Sequence, residues 1–169
     1  TGSDGADTFM MQNKGDVLNA GAGSDTLDIN FTGILGGLSI DMSSATDQID
    51  SMDGSTNPGV QLGFENVDVS GYTGFGASIT GTTAANTITG TTSTDSISAG
   101  GGADTIVVTA GNDVVTGGDG IDTVQFTDAQ FDNNSAVTAS YTGGAGIDII
   151  ELTDTATIVD ADFAVFTTM

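Results

Sequence analysis

A period of nine residues organises much of this sequence. Three consecutive nonapeptides fill residues 2–28, five follow without a gap over 81–125, and a single copy stands at 143–151. Self-similarity at a short fixed period is typical of repeat architectures, in which each repeat is one structural unit stacked on its neighbours. The period therefore constrains the fold more than any other feature of the chain.

Three columns of the repeat have a restricted composition. The sixth position is aspartate in eight of the nine copies and asparagine in the other: Asp7, Asp16, Asp25, Asn86, Asp95, Asp104, Asp113, Asp122 and Asp148. The eighth position is apolar throughout: Phe9, Leu18, Leu27, Ile88, Ile97, Ile106, Val115, Val124 and Ile150. The fourth position is glycine in six copies: Gly5, Gly23, Gly102, Gly111, Gly120 and Gly146.

Each column has a physical role. Glycine at the fourth position suits a sharp turn or a positive φ, and it lets carbonyl oxygens converge without a Cβ in the way. The carboxylate at the sixth position supplies a negative ligand. Positions seven to nine alternate as a three-residue strand whose central side chain points inward. The repeat therefore predicts one turn and one short strand, again and again.

The charge balance restricts the chemistry. The chain has 23 acidic residues and one basic residue, Lys14, for a formal charge of −22, and it contains no His, Cys, Trp or Arg. Thiol nucleophiles, imidazole bases and zinc sites of the usual ligands are therefore excluded. One lysine does not neutralise a run of phosphates, so nucleic acid is not an expected partner. The remaining ligands, carboxylate, hydroxyl and carbonyl oxygen, suit a hard cation such as Ca²⁺.

Composition also favours an all-β fold. The 26 glycines and single proline accompany many threonines and aspartates, which are poor helix formers. We expect one elongated domain over residues 1–169. The start, Thr1-Gly2-Ser3-Asp4, has neither an initiator methionine nor a signal peptide, which predicts a fragment of a longer chain. No window approaches eighteen apolar residues, so membrane insertion is not expected.

The repeat resembles the RTX, or haemolysin-type calcium-binding, nonapeptide family, whose signature is GGxGxDxUx. The best matches are Gly117-Gly118-Asp119-Gly120-Ile121-Asp122-Thr123-Val124-Gln125 and residues 143–151. The resemblance covers 81 of the 169 residues. It implies a parallel β-roll, a β-solenoid in which two nonapeptides make one coil and Ca²⁺ ions lie between turns stacked on the same side.

If that holds, each turn shares an ion with the next but one. The resemblance then pairs Asp7 with Asp25, Asp95 with Asp113, Asp104 with Asp122 and, most weakly, Asn86 with Asp104, because Asn86 is uncharged and Ala84 replaces glycine in its turn. Lys14 occupies the fourth position of the Asp16 turn, and its positive charge argues against a metal ion in that turn. The residues expected to hold metal are Gly2, Asp4, Gly5, Asp7, Gly23, Asp25, Asp95, Gly100, Gly102, Asp104, Gly111, Asp113, Gly117, Asp119, Gly120, Asp122, Gly143, Gly146 and Asp148.

The insertions at 29–80 and 126–142 carry information on register. The 17 residues between Gln125 and Gly143 are about one 18-residue coil, so Asp148 should share an ion with the Asp122 turn. Within that insertion, 126–134 would be a metal-free turn and 136–141 a returning strand. The longer insertion should continue the solenoid through strands at 38–42, 66–70 and 77–80, with one excursion at 43–59.

Several alternatives remain open at this stage. The aspartates can cap turns through Asx hydrogen bonds with no metal, above all at Asn86. The repeats can also be a low-complexity linker, although the unbroken apolar column argues against that. Asp47, Asp50 and Asp53 in the excursion make either an accessory Ca²⁺ site or a solvated loop, and the loop is favoured because the spacing is not that of an EF-hand.

Two further functions, glycoside hydrolysis and ice binding, receive little support from the residues. Glycosidases need only two carboxylates, but Glu65 and Glu151 have no cleft context, so no enzymatic activity is expected. Threonine-rich solenoids can bind ice through rows of hydroxyls. The third positions form no such row: Asp4, Asn13, Ala22, Thr83, Thr92, Gly101, Ala110, Asp119 and Ala145.

The expected function follows from the metal. A chain that folds only where Ca²⁺ is plentiful suits export in an unfolded state, and the resemblance implies bacterial type I secretion. The end of the chain, 162–169, is compatible with its C-terminal signal and equally with a last strand. We expect a secreted module of a cell-surface protein of the S-layer, adhesin or matrix type, with copies of itself or other surface proteins as candidate partners. The alternative is the C-terminal secretion and folding module of an exported hydrolase or toxin.

Overall fold

A computed structural model describes residues 1–30, 32, 36–57, 59–126, 140–153 and 166–168. These residues form strands and turns and contain no helix. Accordingly, this part of the chain has no helical segment of the length and apolarity that crossing a bilayer requires. The all-β class predicted from composition is confirmed.

Seventeen short strands follow one another along the chain. They are β1 Thr8–Met11, β2 Val17–Asn19, β3 Thr26–Ile29, β4 Leu38–Asp41, β5 Ile49–Met52, β6 Ser55–Thr56, β7 Val60–Leu62, β8 Asn66–Asp68, β9 Ala77–Thr80, β10 Thr87–Thr89, β11 Ser96–Gly101, β12 Thr105–Val107, β13 Val114–Asp119, β14 Thr123–Phe126, β15 Ser140–Ala145, β16 Ile149–Leu152 and β17 Phe166–Thr168.

The strands build two long sheets between which the chain alternates. The first sheet has the order β1-β3-β8-β10-β12-β14-β16, and the second has the order β17-β15-β13-β11-β9-β4-β5-β6. All pairings of the first sheet are parallel, and those of the second are parallel from β17 to β4. A small separate sheet pairs β2 with β7. The architecture is a parallel β-roll, as the repeat resemblance implied.

The strand register follows the repeat. Thr105 pairs with Thr123, so that one coil takes two nonapeptides. Thr123 in turn pairs with Ile149 across a longer interval, which places the isolated repeat directly above the preceding one in the first sheet. The predicted turn at 126–134 lies almost wholly outside the described residues, and of the predicted strand at 136–141 only the last two residues are described, in β15.

The eighth-position side chains form the core between the two sheets. Ile88, Ile106 and Val124 of the first sheet are fully buried, and Ile97 and Val115 face them from the second. Because successive strand residues point to opposite faces, one inward residue per short strand gives a continuous apolar column. At the first end of the roll, the Phe9 and Phe64 rings pack edge to face with centroids 5.5 Å apart.

The long insertion continues the roll, as predicted. Strands β4, β8 and β9 form at the three predicted places and join the two sheets. The excursion is more ordered than a loop, because β5 and β6 extend the second sheet beyond β4 as antiparallel strands. Buried Gln48 fastens this hairpin by donating to the carbonyls of Met42 and Phe64.

The two sheets differ in strand length, which the repeat pattern did not predict. Strands β10 and β12 have the expected three residues, but β11, β13 and β15 have six and run on into the following turns. Each of these strands ends in a turn whose second residue is glycine: Gly100, Gly118 and Gly144. At the other end of the chain, β17 pairs with β15, so residues 166–168 form a last strand of the second sheet.

Candidate metal centre

The sixth-position residues stack at one edge of the roll. The backbone N–H of Asp104 donates to Oδ1 of Asp122 at 3.0 Å, and that of Asp122 donates to Oδ1 of Asp148 at 3.1 Å. The N–H of Asn86 donates in the same way to Oδ1 of Asp104 at 2.7 Å. Each carboxylate thus lies between its own turn and the preceding one. The predicted neighbours are adjacent, including Asp122 and Asp148.

The same contact recurs in the other stacks. The Asp95 N–H donates to Oδ1 of Asp113 at 2.7 Å on the opposite edge, and the Asp7 N–H donates to Oδ1 of Asp25 at 2.8 Å in the first block. A parallel register with one Asp immediately before each strand produces this contact in each of these stacks. The structure therefore brings together all the pairs that the register predicted.

One member of the column was missed in the sequence. Glu65 lies in the insertion, yet its Oε2 accepts the backbone N–H of Asp25 at 2.9 Å, the role that an aspartate plays elsewhere. A signal for it existed, because Glu65 immediately precedes the strand β8, as each repeat aspartate precedes its strand. Glu65 does not belong to the aspartate column of the repeat, because it is a glutamate and lies outside the nonapeptides.

Five carboxylates of the column keep one oxygen without a partner. Among the described residues, the buried Oδ2 atoms that make no hydrogen bond belong to Asp25, Asp104, Asp113, Asp122 and Asp148. A buried charged oxygen without a donor costs free energy, because it has lost its water and gained nothing in return. A cation beside these oxygens removes that cost. The site therefore fits a metal ion on the strength of its own geometry.

The electrostatics of the metal-free chain point the same way. Burial raises the pKa of Asp104 to about 6, against the lowering effect of its hydrogen bond from Asn86, and the charge of Asp122 raises it further. Burial also raises the pKa of Asp113 to about 7, with a smaller contribution from the Asp95 charge. The pKa of Asp122 is raised by burial and by the charge of Asp148. The stacked carboxylates are thus disfavoured as anions until a positive charge joins them.

Fourth-position glycines let the turns approach closely. Gly111 has a φ of 143°, and a Cβ there would collide with the Ser93 carbonyl oxygen of the stacked turn. A Cβ on Gly120 would likewise collide with the Gly102 oxygen, and one on Gly146 with the Gly120 oxygen. Gly5 differs, because the nearest atom to its Cβ position is Ser3 Oγ at 3.8 Å. Carbonyl oxygens therefore lie against the next turn wherever two such turns stack.

The remaining predicted glycines crowd the carboxylates themselves. A Cβ on Gly117 or Gly143 would overlap Oδ2 of the aspartate in the same turn, and one on Gly2 would lie 2.8 Å from Oδ2 of Asp7. By contrast, the third-position acids Asp4 and Asp119 are exposed and make no side-chain hydrogen bond among the described residues. The structure does not bring their carboxylates into the column.

The donor set consists of oxygen alone. No group of three or more acidic residues converges on one point in the described part of the chain, so each gap between turns offers two carboxylates with backbone carbonyls around them. Oxygen donors of this kind, in a flexible number, are what Ca²⁺ takes.

Turns that depart from the pattern are satisfied in other ways. Asp16 Oδ2 accepts the N–H groups of Gln12 and Asn13 at 3.0 Å, while Lys14 reaches away to Asp53 at 2.7 Å. Asn86 Oδ1 accepts the N–H of Thr82 at 2.7 Å, which is the capped arrangement left open for this turn.

The excursion acids are dispersed rather than clustered. Asp47 accepts the N–H groups of Ile49 and Gln61, and Asp50 accepts the hydroxyl of Ser39 at 3.4 Å. Because Asp53 pairs with Lys14, the three carboxylates serve three separate contacts. The favoured solvated loop is not what forms, since Asp50 lies in the strand β5.

Comparison with known proteins gives one family. The profile of the RTX calcium-binding nonapeptide repeat matches in four copies, over residues 1–28, 80–115 and 89–124. No curated protein matches the chain. The matched ranges contain seven of the eight sixth-position aspartates, whereas the copy at 143–151 lies beyond them. This chain therefore carries RTX calcium-binding nonapeptide repeats, which bind Ca²⁺ and fold here as a β-roll.

Proposed function

We propose that this Ca²⁺-binding β-roll is a structural module of an exported bacterial cell-surface protein, of the S-layer, adhesin or matrix type, and that it folds when it meets Ca²⁺ outside the cell. The observation that supports this proposal is the set of buried Oδ2 atoms of Asp25, Asp104, Asp113, Asp122 and Asp148 that have no partner. Because these buried oxygens need a cation as their partner, binding of the cation can control whether the chain folds.

The chain's own residues perform the switch. Asp104, Asp122 and Asp148 hold one oxygen on a backbone N–H and present the other to the gap between turns. The carbonyls that face Gly120 and Gly146 line the same gaps. A bound Ca²⁺ supplies the positive charge that offsets repulsion between adjacent carboxylates.

Magnitudes suit an extracellular switch. Extracellular Ca²⁺ modules bind with Kd values of about 10⁻⁴–10⁻³ M. At an ion concentration tenfold above Kd, each site stabilises the folded chain by about 1.4 kcal/mol. Several sites together contribute a sizeable part of the usual stability of a domain, roughly 5–15 kcal/mol. Inside a cell, where free Ca²⁺ is scarce, that contribution is absent, which favours export of the unfolded chain by a type I route.

The surface-protein role is favoured over its alternative by what the roll exposes. Ile121 and Ile147, the fifth residues of two stacked turns, are 55% and 80% exposed. Neighbouring apolar side chains of this kind suit contact with a second surface, either a copy of this chain or another surface protein. The alternative, a folding module attached to an exported hydrolase or toxin, is distinguished by whether the full-length protein carries a catalytic domain.

Circular dichroism and calorimetry with and without Ca²⁺ test the proposal. We expect the chain to be largely disordered in chelator and β-rich in millimolar Ca²⁺. Mg²⁺ should be a poor substitute, because it demands tight octahedral coordination. A β-sheet spectrum that chelation leaves unchanged, together with no heat of Ca²⁺ binding, would refute the switch.

A second candidate function rests on the outer face of the second sheet. At the first two outward positions of β9, β11, β13 and β15, seven of the eight residues are hydroxylic, in two parallel rows. They are Ser78, Thr80, Ser96, Ser98, Thr116, Ser140 and Thr142, with Val114 as the exception. Neighbouring strands hold such side chains about 4.8 Å apart. The third positions of the repeat do not contain these rows, because the outward strand positions are the seventh and ninth.

An array of hydroxyls at regular spacing supports ordered water, and we therefore retain ice binding as the second candidate. Thermal hysteresis and ice-crystal shaping by the Ca²⁺-loaded chain test it. Thr116→Lys, on the outer face, should abolish shaping, whereas Thr26→Lys on the first sheet should not. Growth of unshaped ice discs in the presence of the chain would rule the candidate out.

A further inference from the structure

Some turns of the roll are closed by their own hydrogen bonds. Asp7 Oδ2 accepts both the backbone N–H and the hydroxyl of Ser3, at 2.7 and 2.9 Å. Asp95 Oδ2 accepts the N–H of Thr91 at 2.8 Å, and its Oδ1 accepts the Thr91 hydroxyl at 2.7 Å. In both turns the donor is the second residue of the nonapeptide. The carboxylate is satisfied without any ion.

The turn of Asn86 follows the same rule. Its Oδ1 accepts the N–H and the hydroxyl of Thr82, at 2.7 and 3.1 Å. Asp16 Oδ2 is held by the N–H groups of Gln12 and Asn13, so a second residue that lacks a hydroxyl still closes its turn through the backbone.

Other turns have glycine at the second position and remain open. These glycines all have positive φ, at 104° to 121°: Gly21, Gly100, Gly118 and Gly144. The aspartates of the same four turns are Asp25, Asp104, Asp122 and Asp148, and each keeps a buried Oδ2 with no partner. Asp104 and Asp122 are at most 1% exposed, so bulk solvent does not reach these side chains.

The backbone explains the difference. In the open turns the strand ladder runs on past the first residue, and Gly100 and Gly118 are in register with the stacked Gly118 and Gly144. The N–H of Gly101 then donates to the Thr82 carbonyl at 2.9 Å instead of turning toward a carboxylate. Ala22 makes the equivalent bond to the Ser3 carbonyl. A β-branched residue does not adopt φ above 100° without strain, so threonine at this position ends the ladder and faces the carboxylate.

The Asp113 turn belongs to neither class. Its second residue is Thr109, but the Thr109 hydroxyl and Asp113 Oδ2 are both buried without a partner. The coil beyond this turn begins outside the described residues, and nothing in the structure explains why the hydroxyl does not close the turn.

We propose that the second residue of each nonapeptide selects whether its turn takes Ca²⁺ or is closed by hydrogen bonds in place of the ion. Ca²⁺ then occupies the two gaps between the three consecutive glycine turns 99–104, 117–122 and 143–148. The turns closed by Ser3, Thr82 and Thr91 bind no metal and keep the coils of the roll in register. This inference rests on the proposed Ca²⁺ switch and narrows the predicted ligand set, since it removes Asp7 and Asp95 from it.

Counting bound ions by native mass spectrometry tests the selection. Asp122→Asn changes the shared carboxylate of both gaps and should lower the ion count by two relative to the unsubstituted chain. Asp95→Asn is the matched control, because Asp95 is equally buried, at 2% exposure, and should leave the count unchanged. A chain that binds Ca²⁺ but loses an ion on Asp95→Asn overturns the selection alone. A chain that binds none contradicts the Ca²⁺ switch as well.

A gain of site tests the second residue directly. The turn 81–86 stacks on the open Asp104 turn and differs from it at, among others, the second, fourth and sixth positions, which are Thr82, Ala84 and Asn86. We expect the double variant Ala84→Gly with Asn86→Asp to bind no extra ion, because Thr82 still closes the turn. Adding Thr82→Gly should raise the count by one. Equal counts in the two variants, both shown to be folded in Ca²⁺ by circular dichroism, overturn the proposal.

Discussion

Asp113 is nearly fully buried, yet its carboxylate lacks part of the hydrogen bonding that a buried charge requires. One of its oxygens accepts the Asp95 N–H, and the other has no donor. Burial holds the folded-state pKa near 7, above the ordinary 3.8. The metal-free roll therefore binds a proton that the unfolded chain has released, and the stability this provides is present below pH 3.8 and is lost as the pH rises through about 7.

The first prediction concerns pH. In metal-free buffer we expect the β-sheet signal and the urea midpoint to increase as the pH falls from 8 to 5, with Asp113 and then Asp104 taking up protons. Asp113→Asn imitates the protonated acid, so it should stabilise the metal-free chain at pH 8 and flatten the profile near pH 7. A metal-free chain that is most stable at pH 8 would contradict this prediction. In the presence of Ca²⁺, affinity should instead rise with pH, because protons compete for the same oxygens.

The second prediction compares two neighbouring members of the column. Asp104→Ala removes a charged oxygen that has no donor, whereas Asn86→Ala removes an uncharged cap. We expect Asp104→Ala to raise the Ca²⁺ concentration at the folding midpoint several-fold, with a loss of about 1.4 kcal/mol at tenfold ion excess. Asn86→Ala should raise that midpoint less, because it removes a hydrogen-bonded cap and no charge. Titrations followed by circular dichroism measure both, and equal Ca²⁺ midpoints would show that Asp104 is not a ligand.

Within a single turn, the residue that fits at the fourth position depends on how close the next turn lies. Gly120 has a φ of 141°, and the Gly102 carbonyl oxygen occupies the place that a Cβ would take. Gly5 occupies the same repeat position but has open space around it and no positive φ. The stacked turn therefore requires a glycine at Gly120, whereas the structure imposes no such requirement at Gly5.

The third prediction uses this matched pair. Gly120→Ala should destabilise the Ca²⁺-loaded roll by about 1–3 kcal/mol, because it forces a strained backbone and pushes the stacked carbonyl away. Gly5→Ala should change stability by no more than about 0.5 kcal/mol. Urea unfolding at saturating Ca²⁺ gives both values. Similar costs for the two variants would mean that the turns do not stack as closely as Gly120 requires.

The fourth prediction concerns the isolated repeat. The Asp122 N–H donates to Asp148 Oδ1 across 26 residues, and β14 pairs with β16. A crystal structure in Ca²⁺ should therefore show an ion that contacts both turns, with oxygen ligands at about 2.3–2.6 Å. An ion bound by only one of the two turns would separate the last coil from the metal stack.

At the scale of the whole molecule, the roll concentrates charge that it neutralises poorly. Its formal charge is −22, and Lys14 provides the only side-chain cation. Because the first sheet extends from β1 to β16 through all three repeat blocks, we expect residues 1–169 to fold as one cooperative unit, with ion binding in one part stabilising the rest.

The fifth prediction is a large change in size. In chelator a chain of this length should have a radius of gyration of about 43 Å, whereas a compact fold of the same length has about 15 Å and an elongated roll somewhat more. Small-angle scattering during a Ca²⁺ titration should show one transition between the two. Two separate transitions would mean that the inserted coils and the repeat coils fold independently.

The repeat, the length of a coil and the stacking of the turns could all be predicted from the sequence. The apolar eighth column fixes which side chain points inward, and the spacing of the aspartates fixes which turns meet, because both depend only on periods along the chain. The predicted strands at β4, β8 and β9, the return of 143–151 to the stack and the capped Asn86 turn all followed from such local periods.

What each carboxylate binds depends on how the coils pack in the folded chain. Glu65 enters the column because its coil lies between those of Asp25 and Asn86. The insertion has no nine-residue period from which this position could be predicted. The hairpin of β5 and β6, the six-residue strands and the outward hydroxyl rows likewise depend on neighbours from other coils. Whether an aspartate oxygen is free or closed depends on the direction of a backbone N–H, which the parallel ladder sets when coils stack. Identical residues in the sequence thus acquire different roles through hydrogen bonds that exist only once the chain is folded.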